Sequence, residues 1–332
     1  MIKIRKSADI AKYAMMFLVL TAVGFIYDKY KRKYDGDDEL SKYHLVKKFL
    51  LNEDPELGNM SGKPTLWVHS EYNINAKNWK TFYSRNSGNL NQKYAEMCIE
   101  SVVKYCGESF NVCLINDDSF SKLIPGWQVD MTLISDPVKS HMRILAIAKI
   151  LYYYGGILLP NTTLIMKDIK PLYNELMGYK CMFVSEIVNR NSTSTNTRFF
   201  PSNKLMGCKK KSKYMDNLIK KIELLLSNDN THEMDFEGEI DRELYKMCND
   251  QEIQLTCGKL FGNKTKDGNV VLLDDLLGCS YINFDRNMYG IYLPKEDIEK
   301  RTKYQWFGRL NREQILKSNT VVAKYFLISA GK

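Results

Sequence analysis

The sequence predicts an α/β protein, a mostly parallel sheet flanked by helices, with a membrane helix ahead of it. Three observations lead there. Between Thr65 and Leu159, short apolar runs and helical spacings alternate as strand, helix, strand, helix, strand, which is the pattern of parallel crossover units. An apolar helix pattern over Val138–Tyr154 is cut by Gly155-Gly156 and followed at once by the strand-like Ile157-Leu158-Leu159. Finally, Tyr13–Tyr27 (YAMMFLVLTAVGFIY) is a charge-free apolar run between basic flanks.

The N-terminal segment, residues 1–33, reads as an anchor. Its apolar run is shorter than the roughly 20 residues a spanning helix usually needs, but flanking Lys and Tyr can snorkel. The competing reading is a cleaved signal peptide, with Ala22-Val23-Gly24 as a small-residue site. Residues 34–63 form a charged stalk and linker, with a helix expected at Leu40–Leu51 and a break at Ser61-Gly62-Lys63-Pro64. The 332 residues carry 48 basic and 39 acidic side chains, a formal +9. Eight of the basic residues and only two acids lie in residues 1–33, leaving 40 and 37 for the remainder. A nearly neutral body argues against nucleic acid as a partner, since phosphate-backbone binding needs a clustered basic face. The eight cysteines are dispersed without a C-x-x-C pair, which excludes the usual zinc frameworks and points to buried thiols.

Residues 64–332 form the globular part. Thr65–His69 is a strand whose end faces the ligand crevice of a doubly wound sheet, making His69 and Tyr72 candidates for contact with a ligand base. Asn89–Tyr105 is a helix, Phe110–Ile115 a strand, and Asn116-Asp117-Asp118 the N-cap of the next helix. Val184–Asn203, rich in Asn, Ser and Thr, reads as a long polar loop or lid. Lys213–Ser227 is an amphipathic helix with Met215, Leu218, Ile219, Ile222, Leu225 and Leu226 at helical spacing. Asp235–Asp241 is an acidic patch entering a helix near Arg242–Met247. Ile253–Leu260 and Val270–Leu273 read as a hairpin, and Asn311–Ile328 as a helix followed by an apolar run.

The run LYYYGGILL, followed by KDIKPLY at Lys167–Tyr173, resembles the core of the Asp-x-Asp sugar transferases and their capsular-polysaccharide-synthesis relatives, in the divergent form encoded by large DNA viruses. The resemblance covers roughly residues 64–210, leaving 211–332 as a C-terminal half. It implies a nucleotide-sugar-transferase-like (GT-A) fold, a nucleotide-sugar donor, a glycan acceptor and a divalent metal held by the two acids on the donor pyrophosphate. It also makes Gly155, Gly156, Asn161 and Thr162 donor-binding candidates. The departure is as informative. Pro160-Asn161-Thr162 stands where the family has Asp-x-Asp, and Ile144 and Ile147 stand where it has a helix acid and arginine. Hard cations want carboxylate oxygen, so no metal cofactor is expected at this position. Arg143, one turn before Ile147, is the substitute candidate for binding the donor phosphate, with Lys149 or Lys209–Lys211 as other cations. Glu237, Glu239 and Asp241 are the candidate catalytic carboxylates. Two readings follow, a membrane-anchored transferase and a degenerate relative that keeps the fold for binding or structure.

Overall fold

Gly155 and Gly156 set the geometry at the centre of the molecule. In the computed structural model, which describes residues 62–70, 92–190, 194, 197–228 and 233–331, both have positive φ, 72° and 102°. A Cβ on Gly156 would lie 2.2 Å from the Thr65 carbonyl oxygen, and one on Gly155 would lie 2.8 Å from the Lys210 amide nitrogen. Only glycine allows the helix to stop and the strand to start at that distance. Trp67 locks the corner by donating its indole N–H to the Gly155 carbonyl at 2.9 Å.

The main sheet has six strands: β1 (Thr65–His69), β2 (Asn111–Ile115), β3 (Gly156–Leu158), β5 (Met182–Val188), β6 (Phe199–Cys208) and β7 (Gln254–Thr256). Their order is β2-β1-β3-β6-β5-β7. β1 pairs parallel with β2 and β3, β5 pairs parallel with β7, and β6 alone runs against its neighbours β3 and β5. The expected mostly parallel α/β sheet is therefore observed. A second sheet pairs β4 (Thr163–Ile165) with β8 (Gly290–Tyr292), antiparallel.

The helices are α1 (Lys93–Cys106), α2 (Ser119–Leu123), α3 (Val138–Tyr154), α4 (Lys170–Tyr179), α5 (Lys213–Ser227), α6 (Glu233–Asn249), α7 (Leu273–Leu277), α8 (Lys295–Lys300), α9 (Gln305–Gly308), α10 (Arg312–Lys317) and α11 (Val321–Ala330). α5 has the expected bounds and buries five of the six expected apolar residues, Leu226 being only partly buried. Each such side chain contributes about 1.5–3 kcal/mol when taken fully from water. One apolar cluster gathers α3, α5 and α6 against the sheet, and a second joins α1, β4 and β8 to the C-terminal helices. Both draw on residues from either side of position 210. The described residues belong to one unit, Glu53–Lys332.

Several expectations are corrected. Val184–Asn203 is not a single lid: its two ends belong to the paired strands β5 and β6, which carry buried polar residues such as Ser185, Ser202 and Asn203. The expected hairpin is replaced by β7, a 3₁₀ turn at Gly258–Phe261 and a single bridge between Lys264 and Val270. β7 pairs instead with β5, some 70 residues earlier. The acidic patch lies within α6 rather than ahead of it. The C-terminal stretch is two helices, α10 and α11. Among the described residues no helix is long and apolar enough to cross a membrane. The run Tyr13–Tyr27, the stalk and Tyr72 lie outside the described residues.

Candidate functional site

A cleft with a cavity of about 180 Å³ opens at the carboxyl edge of β1 and β3. This is the edge at which open α/β sheets bind ligands. Its wall carries His69 from the end of β1, Leu159–Thr162 following β3, and one face of α3, formed by Ser140, Arg143, Ile144 and Ile147. These α3 positions recur at three- and four-residue intervals and so share a side of the helix. The opposite wall is Asn203 and Lys204 of β6, Glu237 of α6, Tyr292 of β8, and Lys295 and Glu296 opening α8.

Two ionic groups organise the cleft. In the first, Asp117 accepts from Arg143 Nε at 2.9 Å and Nη2 at 2.7 Å, and from His69 Nε2 at 3.1 Å. The His69 ring stacks on Phe120 with centroids 5.5 Å apart. Burial opposes ionisation of Asp117, but the hydrogen bonds and charges of His69 and Arg143 outweigh it and hold the carboxyl well below the usual carboxylate range. Asp117 was expected to cap α2. Asn116 does that instead, its Oδ1 accepting from the Ser119 amide at 2.9 Å, and Asp117 is released toward α3. The bidentate face of Arg143, expected to receive a phosphate, is therefore turned to Asp117.

In the second group, Lys204 Nζ lies 2.9 Å from Glu296 Oε1 and 3.6 Å from Glu237 Oε2. Lys204 reaches the cleft through an irregularity in β6. Val184 faces Met206, but Ser185 faces Ser202, so Asn203–Leu205 are extra residues beyond the end of β3. Burial works against the Lys204 charge, yet the two glutamates raise its pKa well above the ordinary value. Burial likewise opposes the Glu296 charge, while Lys204 holds that carboxyl down to about 2.

The expected site residues divide by position. His69, Arg143, Asn161, Thr162 and Glu237 all line the cavity. Asn161 is 7% exposed, and its carboxamide makes no hydrogen bond among the described residues. Thr162 donates its hydroxyl to the Leu293 carbonyl at 2.6 Å. Gly155 and Gly156 do not line the cavity; they open β3 at its amino end and serve the corner. Glu239 pairs with Arg242 on another side of α6. Asp241 is buried beside a smaller void of about 20 Å³ that it shares with Lys204, Glu237 and Tyr292. Lys149 pairs with Glu223, and Lys209–Lys211 follow β6 at the opposite edge of the sheet. Asp117, Lys204, Lys295 and Glu296 were missed. The adjacent acids Asp117-Asp118 after a strand were the only sequence signal for any of them.

The divalent metal implied by the transferase resemblance does not fit the residues present. Pro160, Asn161 and Thr162 offer no carboxylate, and the Thr162 hydroxyl is committed to Leu293. The two cleft carboxylates nearest them share one ammonium. Among the described residues no three His, Cys, Asp or Glu side chains are grouped to hold a metal ion. Asn161 and Asn263 stand in glycosylation sequons but are 7% and 4% exposed, so neither offers a surface acceptor.

Neither a protein-family model nor a curated protein sequence matches the chain. Among solved structures it is similar to the PaToxG glycosyltransferase, with 13% identity and a TM-score of 0.34 over 64% of this chain and 83% of that one. It is also similar to the galactosyltransferase LgtC in complex with donor and acceptor sugar analogues, at 10% identity and a TM-score of 0.36 over 75% and 98%. A third similarity is to apo mouse xyloside xylosyltransferase 1, at 10% identity and a TM-score of 0.37 over 76% and 95%. TM-scores below 0.5 do not assign a family.

Proposed function

We propose that the chain is a glycosyltransferase-like protein of the capsular-polysaccharide-synthesis type, anchored by Tyr13–Tyr27, whose cleft binds a nucleotide-sugar donor. The observation that carries this reading is positional. The residues replacing the family's Asp-x-Asp, Pro160-Asn161-Thr162, line the cleft together with Arg143, Ile144 and Ile147 of the facing helix. The helix and the carboxyl end of the strand thus meet at the cleft, where this kind of sheet binds its ligands. Asn161, buried with its carboxamide open to the cavity, is suited to a sugar hydroxyl or phosphate oxygen. The transferred sugar would pass to a glycan acceptor, and the diphosphate would leave against protein cations rather than a metal.

A specific observation favours the second reading, a binding protein without turnover. The cleft acids and bases are already paired with one another, Asp117 with Arg143, and Glu237 and Glu296 with Lys204. Asp117 and Glu296 are both held below the usual carboxylate range, the opposite of what general base work at neutral pH asks for. Calorimetric titration of the full chain with a panel of nucleotide sugars, followed by a donor-hydrolysis assay, tests both. Micromolar binding with turnover supports the transferase, and binding without turnover supports the second reading. Absence of binding to every donor refutes both.

A further inference from the structure

We propose that the Lys204 ammonium is the resident cation of this cleft and receives the diphosphate of an anionic ligand directly. The ligand class rests on the nucleotide-sugar reading above; the placement of the cation rests on the geometry alone. Lys204 projects from the extra residues of β6 past the end of β3, into the same cavity as Pro160–Thr162. Its two carboxylate neighbours, at 2.9 and 3.6 Å, come from separate elements, α8 and α6, and so hold the ammonium from two sides. Lys295, the residue before Glu296, lines the cavity as a second cation, paired with Glu299 at 3.8 Å, and Asn161 lines the same cavity.

The two contacts are unequal, and this decides how a ligand enters. Glu237, at 3.6 Å, is the looser partner, so an incoming phosphoryl oxygen takes its place on Lys204 while Glu296 keeps the ammonium positioned. An ammonium is a compact point charge with three donors, able to serve a carboxylate and a phosphate oxygen at once. It carries one charge where Mg²⁺ carries two, so Lys295 supplies the second positive charge for the diphosphate.

The test uses chelator-treated full-length protein and inorganic pyrophosphate, titrated with and without Mn²⁺. The expected result is binding that Mn²⁺ leaves within about twofold, a loss of at least tenfold in Lys204→Met, and retention in Lys204→Arg. Glu237→Gln should bind several-fold more tightly, because it removes the competing charge while leaving the ammonium. A merely structural role for Glu237 would give weaker binding, so this variant keeps the proposal refutable even where Lys204→Met fails to fold. Pyrophosphate binding that requires Mn²⁺, or no pyrophosphate binding under either condition, overturns the proposal. Pyrophosphate binding with no affinity for any nucleotide sugar would instead sink the transferase reading and leave Lys204 in place.

Discussion

Replacing Arg143 by alanine separates a structural role for this guanidinium from a ligand-binding one. The wild-type side chain gives Asp117 a fork of hydrogen bonds, at 2.9 and 2.7 Å, and the two side chains are 7% and 10% exposed. Solvent screening is therefore slight, and deleting one partner of such a pair leaves a buried charge with only His69 beside it. The expected loss is about 3–5 kcal/mol at pH 7. The pH dependence follows from the direction of the Asp117 shift. Its folded pKa lies below the unfolded value of about 3.9, so its contribution is complete above that value and is lost as pH falls through the folded one. In Arg143→Ala, burial of Asp117 is opposed by His69 alone and the folded pKa rises. The variant then regains stability relative to wild type as Asp117 takes up a proton. Urea unfolding of wild type, Arg143→Ala and Arg143→Ala/Asp117→Asn at pH 7 and pH 4 measures this. The deficit should be large at pH 7, shrink at pH 4, and be partly relieved by Asp117→Asn. A deficit under about 1 kcal/mol at pH 7, or one equal at both pH values, would refute the reasoning.

Three further outcomes are expected. Gly156→Ala should abolish soluble expression or cut thermal stability severely, because the new methyl would lie 2.2 Å from the Thr65 carbonyl oxygen at a φ of 102°; a melting temperature within a few degrees of wild type would contradict the corner geometry. Trp67→Phe should cost about 1–3 kcal/mol in urea unfolding, since it leaves the buried Gly155 carbonyl without its indole donor, and a neutral effect would mean that another donor serves that carbonyl. Alkaline carbonate extraction should leave the full chain with the membrane fraction, and its release would refute the Tyr13–Tyr27 anchor.

What was legible in the sequence was local. The α3 helix, its double-glycine stop, the β1 and β3 strands and the whole of α5 are each specified by residues within one turn or one pleat of each other. The errors fall where a distant partner decides. The end of the expected polar loop, Ser202-Asn203, hides a strand because these residues are buried polar groups, Asn203 facing a cleft rather than an apolar layer. β7 looks like half of a hairpin because its parallel partner, β5, lies far back in the chain. Asp117 looks like a cap because only the fold shows that Asn116 already fills that role. Glu296 gave no signal at all, being one acid in a run of mixed charges, Lys295-Glu296-Asp297.

The same pattern explains why the helix face of the cleft could become apolar without the cleft losing its charge order. Ile144 and Ile147 offer no carboxylate and no guanidinium, so α3 contributes only Arg143, and Asp117 neutralises it from the end of β2. The cationic role then falls to β6, where the extra residues at Asn203–Leu205 provide the reach, and to α8, where Lys295 and Glu296 arrive together. A lysine in that position is stable only because two glutamates accompany it, since an ammonium taken from water without partners would lose its proton instead. Glu237 and Glu296 are therefore best understood as the holders of a cation. Lys204 is the group through which the cleft meets an anion.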